Sequence, residues 1–177
     1  MTNIFLRICR ELIRMKHGDE YVATNVAIKE ARRIGVRVGE RCRFYNVDFS
    51  SEPYLISIGD HVTLTPNVQF VTHDGGVWVF REKEPLIEFF GKISIGSNVF
   101  IGTGTIILLN TIIGDNCIIA AGTVLKGIYE SNSIIGGVPG KVIGNISDYY
   151  EKNKHKFTYL KNLLPEQKRI EILKKLG

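Results

Sequence analysis

The 177-residue sequence predicts a mainly β protein: a solenoid of short stacked strands, with a short N-terminal helix ahead of it, one long loop extruded from its side and a helical tail. Three observations predict it. Large apolar residues recur every six positions through the middle of the chain, one polar insertion interrupts that recurrence, and both ends carry helical spacing instead. The resulting organisation is a helical segment over 1–33, a repeat body over 34–146 with its loop at 74–92, and a tail over 147–177.

At the N-terminus, Ile4, Phe5, Ile8, Leu12 and Ile13 draw an apolar stripe along a helix from Asn3 to about Lys16. Glu11 dilutes its positive face, so packing against the body or a neighbouring subunit is expected rather than membrane anchoring. Arg7, Arg10, Glu11 and Arg14 interrupt the apolar core a secretion signal needs. The longest aliphatic run, Ile106 to Leu109, falls far short of the roughly 20 residues that span a bilayer. Cys9, Cys42 and Cys117 are odd in number and lack C-x-x-C spacing, which disfavours a disulfide framework or a thiolate zinc site. A cytoplasmic protein without a transmembrane segment is expected.

The body holds the strongest signal. Steps of six give Ile58, Leu64 and Phe70, then, after the interruption, Ile95, Ile101, Ile107, Ile113, Ile119 and Leu125. The following residue is often small (Gly59, Gly96, Gly102, Gly114, Ala120), and the residue four places on is Val62, Val68, Val99, Thr105, Thr111, Cys117 or Thr123. A helix turning about 100° per residue would carry this column some 120° around its axis at every repeat. A strand-and-corner unit keeps it on one wall. Positions one and five then point inward, and the small residue at position two is expected to let the backbone turn tightly. Weaker repeats at Val38-Gly39 and Phe44 indicate an opening coil.

Between Phe70 and Ile95 there are 19 residues more than one repeat requires. They form a loop beginning Gly75-Gly76-Val77-Trp78-Val79-Phe80, and loops on rigid scaffolds are favoured functional positions. After Leu125 the repeat fades. Ser147 and Asp148 are candidate helix caps, and Pro165 fits the first turn of a final helix to Leu176. Its apolar side, Ile170, Ile172, Leu173 and Leu176, is expected to fold back on the coil or a neighbour. Charge is uneven: residues 141–177 carry nine basic and four acidic side chains, while the rest of the chain balances. A uniformly basic nucleic-acid-binding surface is therefore disfavoured.

The hexad column, the Thr72-His73 pair at the last repeat before the loop and the closing Gly136-Gly137-Val138-Pro139-Gly140-Lys141-Val142-Ile143 resemble the hexapeptide-repeat acyltransferases, in their sugar and antibiotic O-acetyltransferase branch. The resemblance implies a left-handed parallel β-helix with three hexapeptides per coil, acetyl-CoA as co-substrate, no metal, and a homotrimer with active sites at subunit interfaces. It makes His73 the general base. Imidazole suits that task because its unperturbed pKa near 6.5 leaves it mostly neutral yet basic at pH 7. Asp74, Asp60 and Glu52 each remain open as its acidic partner.

By the same resemblance, Asn46 and Glu52 meet the sugar, with stabilisation of a turn as the alternative for each. Trp78, in the loop, covers the cleft, stacks on a sugar or adenine ring, or plugs the loop. Thr103, Ala121 and Lys126 meet the pantetheine arm and phosphates of CoA, and Lys141 stands near its nucleotide end. Gly144 takes the place where the family often has a second basic residue. The implied reaction is O-acetylation of a saccharide hydroxyl in surface polysaccharide biosynthesis. N-acetylation of an amino-sugar nucleotide, serine O-acetylation and a catalytically silent binding module are the alternatives. A β-helical carbonic anhydrase needs three zinc-binding histidines where the coil supplies His61 and His73, and G-x-S-x-G is absent.

Overall fold

The computed structural model describes residues 19–177, so the helix expected at 3–16 lies outside the described residues. Contacts divide the chain into two units, one ending at Ile146 and the other beginning at Ser147.

The first unit has three walls. One carries strands β1 (Arg37–Val38), β3 (Ile56–Ile58), β6 (Ile93–Ile95), β9 (Thr111–Ile113) and β12 (Ile128–Tyr129) in that order. The second carries β2 (Arg43–Phe44), β4 (Thr63–Leu64), β7 (Phe100–Ile101), β10 (Ile118–Ile119), β13 (Ser133–Gly136) and β14 (Lys141–Asn145). The third carries β5 (Gln69–Val71), β8 (Ile106–Leu108) and β11 (Val124–Leu125). Pairing is parallel throughout except at β14, which turns back antiparallel on β13. The register stacks like on like: Ile58, Ile95, Ile113 and Tyr129 form one column, and Phe44, Leu64, Ile101, Ile119 and Ile135 another. All nine residues of the hexad column are buried. The fold is a left-handed parallel β-helix.

Position five points inward as expected, through Val62, Val68, Val99, Thr105, Thr111, Cys117 and Thr123. The threonines satisfy their hydroxyls on carbonyls, Thr105 on Gly102 and Thr123 on Ala120, both at 2.7 Å. Cys42 and Cys117 share this column, and burial pushes their thiols up. They are packing residues rather than reactive ones.

The bend is made elsewhere than expected. Left-handed backbone falls at position four, on His61 (φ 55°), Asn67 (62°), Asn98 (57°), Asn110 (61°) and Asn116 (56°), and on Gly104 and Gly122. Asparagine tolerates this region because its short amide bonds locally. Asn98 donates to Asn116 at 2.9 Å and Asn116 to Asn132 at 3.1 Å, with His61 Nδ1 2.8 Å from Asn98 Oδ1. His61 is thus a corner residue. Position two is small for a different reason, the close approach of coils: a Cβ on Gly59 would stand 2.8 Å from the Gly96 carbonyl carbon and oxygen.

Both ends of the body are covered. Helix α1 (Asp19–Arg33), which the stripe at 3–16 did not foreshadow, buries Ile28 and Ala31 in the core and packs against β1 and β2. At the other end β14 occupies the edge of β13. The pattern fades after Leu125 because the last coil is two residues shorter: Tyr129 pairs with Ile113, and Ile135 with Ile119, sixteen residues apart instead of eighteen.

In the second unit, helices α2 (Ile146–Asn153) and α3 (Pro165–Leu176) bury no residue. Pro165 opens α3 as expected, whereas Ser147 lies inside α2 rather than capping it. Tyr150 packs against Phe157, and Lys175 Nζ donates to the Lys156 carbonyl at 3.2 Å. The apolar side of α3 is exposed at Ile170, Leu173 and Leu176. No described helix is long and apolar enough to cross a membrane.

Candidate active site

Two departures from the repeat meet at one corner. Phe44 pairs with Leu64 twenty residues on, so the first coil carries two residues beyond the regular eighteen. They are taken up around Ser50, in left-handed backbone at φ 62°, with Ser50 N–H donating to Asp48 Oδ1 at 3.0 Å. The bulge is followed by Glu52 and a single 3-10 turn, Pro53–Leu55. The second departure is the long loop. His73 stands two residues beyond β5 and bridges antiparallel to Phe90. Asp74 N–H donates to Phe89 O at 2.8 Å and Gly91 N–H to Thr72 O at 2.9 Å, closing the neck of the loop.

At this corner Glu52 Oε2 accepts from Thr72 Oγ1 at 2.7 Å and lies 3.1 Å from His73 Nδ1. Ser51 Oγ is 3.4 Å from the same nitrogen. The Glu52 side chain is 15 % exposed and the imidazole 43 %. Burial alone would push the Glu52 carboxyl up, but hydrogen bonds from Thr72, Ser51 and His73, with the charge of the imidazolium, outweigh it and hold the group below its ordinary value. An ionised carboxylate only accepts, so Nδ1 is the ring's donor and Nε2 its free lone pair. Of the three acids left open by the sequence, Glu52 alone is in contact. Asp74 turns its carboxylate to Gly76 N–H at 2.8 Å, and Asp60 accepts from Glu40 N–H at 2.8 Å.

The pair opens on a cleft of about 240 Å³ whose lining includes Ser51, Asp74, Val77, Arg81, Glu88 and Phe90. The loop wall is a 3-10 helix, Gly75–Phe80, capped by Asp74. Trp78 is 71 % exposed and carries the Arg81 guanidinium 5.6 Å from its ring centre. It borders a second hollow with Val79, Arg81 and Glu82, outside the His73 cleft. Asn46 is also outside that cleft: it sits at a corner with φ 47° and donates its amide to Asn67 Oδ1 at 3.1 Å. Glu52, expected at the sugar, spends its Oε2 on Thr72 and His73.

Thr103 and Ala121 occupy the same corner of adjacent coils. Both are exposed, and Gly122 N–H donates to Thr103 O at 2.8 Å. Lys126 and Lys141 are exposed, the latter on β14. None of these four lines the His73 cleft of its own chain. Among the described residues no group of His, Cys, Asp and Glu is gathered to hold a metal. Sequence reasoning did not reach Arg81, Phe89 or Phe90, which carry no spacing signal and enter the cleft only through the fold of the loop.

Residues 92–127 match the family described as bacterial transferase hexapeptide (six repeats). Protein CapG of Staphylococcus aureus is 48 % identical over 154 residues, covering 85 % of this chain and 90 % of its own. The chain belongs to the hexapeptide-repeat transferases. It is an acyltransferase of that family. Solved structures that resemble it include two acetyltransferases. A maltose O-acetyltransferase from Clostridium difficile 630 is 26 % identical, with a TM-score of 0.52, covering 80 % of this chain and 84 % of that one. A galactoside acetyltransferase in complex with coenzyme A is 27 % identical, with a TM-score of 0.53, covering 72 % of this chain and 61 % of that one.

Proposed function

We propose that this chain transfers the acetyl group of acetyl-CoA to a saccharide hydroxyl, with His73 as general base, on a sugar destined for surface polysaccharide. The observation that carries this reading is the Glu52 carboxylate 3.1 Å from His73 Nδ1 at the mouth of a cleft. Glu52 keeps Nδ1 protonated and stabilises the imidazolium that forms. Nε2 takes the acceptor hydroxyl's proton, and the oxygen attacks the thioester carbonyl. The tetrahedral intermediate collapses with cleavage of the C–S bond, and the imidazolium returns its proton to the departing thiolate. A backbone N–H is the donor proposed for the oxyanion. The maltose and galactoside enzymes support the sugar hydroxyl as acceptor.

Thr103 and Ala121 form a continuous rim along two coils, which suits an extended pantetheine arm, while Lys126 and Lys141 supply charge for its phosphates. Because they stand apart from the His73 cleft of their own chain, the reading places a second subunit between them, in a homotrimer. Outward-facing Phe100, Ile112 and Ile128 are exposed and support contact between copies.

Mass spectrometry of acetylated products, with acetyl-CoA and a panel of oligosaccharides and nucleotide sugars, tests the reaction. Transfer to an oxygen that is lost in His73→Ala is the expected result, and transfer only to amino groups would overturn the O-acetyl assignment. Light scattering should give three copies per particle, and a monomer would remove the shared groove.

A further inference from the structure

Arg81 is the side chain in this region whose situation the reaction proposed above leaves unexplained. It lines the His73 cleft and also the hollow beside Trp78. Its guanidinium lies 5.6 Å from the Trp78 ring centre. It joins no ion pair among the described residues, although Glu82, Glu84 and Glu88 follow in the same loop. Its Nε is buried without a hydrogen-bond partner. A loop arginine ordinarily lies out in water or closes on a neighbouring carboxylate. This one lies over indole at cation–π range with its Nε desolvated, an arrangement that costs free energy unless an acceptor completes it.

The other charges at the cleft are already engaged or face solvent. The Glu52 carboxylate serves Thr72 and His73, and Asp74 caps the loop helix. Glu88 is exposed and unpaired with Arg81. The guanidinium is therefore a positive group held in place, on the rim of the cavity that receives the acceptor. Its planar fork matches the oxygens of a carboxylate or a phosphate, and the cation–π contact with Trp78 reduces the freedom lost on binding.

We propose that Arg81, braced on Trp78, holds an oxyanion of the acceptor, so that the enzyme selects a sugar bearing a carboxylate or a phosphate over its neutral counterpart. The assignment rests on the transferase reading above and adds the class of acceptor. The neutral sugars named for the related enzymes do not require such a group.

The test compares matched acceptors: methyl galacturonoside and galactose 1-phosphate against neutral methyl galactoside, each with acetyl-CoA and the full-length protein. For wild type the anionic acceptor should have the higher kcat/KM. In Arg81→Met the ratio of anionic to neutral kcat/KM should fall by about tenfold or more, chiefly through KM. Arg81→Lys, which keeps the charge but not the fork, should fall between them. The carboxylate and phosphate arms show which oxyanion is preferred. Glu88→Gln, which removes a repelling carboxylate from the lining, should move the ratio the other way.

An equal loss on charged and neutral acceptors, or no wild-type preference, would overturn the proposal while leaving the transferase reading intact. If no acceptor is acetylated, saturation-transfer NMR reads the same comparison as binding. Anion binding lost in Arg81→Met then supports the site while the O-acetyl reading fails, and no anion binding by wild type overturns the site as well.

Discussion

The wall from Ile93 to Leu125 and the corner where Ser50–Glu52 meets Thr72–Phe90 are built from the same chain by opposite rules. In the wall every coil repeats the last. Ile, Leu, Val and Thr columns fill the interior, and asparagine or glycine takes the corner. The inward side chains there stack on their counterparts in the next coil. At the corner the repeat is broken twice, by two residues in the first coil and nineteen in the second turn, and the broken segments hold the ionisable pair. Regular stacking leaves no gap for a reactive group. The irregular segments make one, while the wall beneath keeps their ends still.

This contrast gives a graded series of expectations. The largest effect on stability belongs to the wall. Ile119→Ala, at a fully buried site, should cost about 2–5 kcal/mol, read as a lower denaturation midpoint with an unchanged KM in the folded fraction. His73→Ala should do the reverse, cutting kcat by about two orders of magnitude or more with little change in the midpoint. Near-normal turnover in that variant would remove the corner from the chemistry. Next comes Gly59→Ala. Its new Cβ would press on the Gly96 carbonyl of the next coil, an overpacking that should cost about 1–3 kcal/mol by chemical denaturation.

Smaller still is the pH effect of Glu52. Its folded carboxyl is held below the ordinary value, so its contribution to stability is present above the unfolded pKa of about 4.3 and is lost as pH falls through the lower folded one. Melting temperatures of wild type and Glu52→Gln should therefore converge as the pH is lowered from 6 to 3. The same variant should lower kcat more than it changes KM, because in the proposed mechanism Glu52 orients the base rather than the acceptor. Smallest is Asn116→Ala, which removes one rung of the corner ladder and places alanine in left-handed backbone. It should cost about 1 kcal/mol, and Asn116→Gly should recover part of that.

The repeat body was legible because position one and position five face the core in every coil, and a column of nine large apolar residues has no helical explanation. The assignment of the bend to position two was wrong, since close approach of stacked coils and left-handed backbone both favour glycine and a one-dimensional pattern does not separate them. Asparagine at position four carried the missing signal in Asn67, Asn98, Asn110 and Asn116. Helix α1 falls within the segment expected to be helical over 1–33, but its own bounds were not drawn, because the apolar stripe that marked a helix was the one at 3–16. The last coil lay within the body expected over 34–146, but its column was not followed past Leu125 because a two-residue deletion shifts its phase.

The Thr-His context and the place before the loop singled out His73, which the structure sets at a cleft beside a carboxylate. Its partner was not. Asp74 is next to it in sequence and Asp60 is in the regular coil, yet Glu52, twenty-one residues away, makes the contact.

The six-residue period was enough to dictate a stacked β core, because a repeating apolar column can be buried in few other ways. Which acid meets the imidazole, and that Arg81 comes to line the same hollow, depended on how two insertions of unequal length fold over one corner. Their end-points are set by long-range pairing such as His73 with Phe90, and no local spacing encodes that distance.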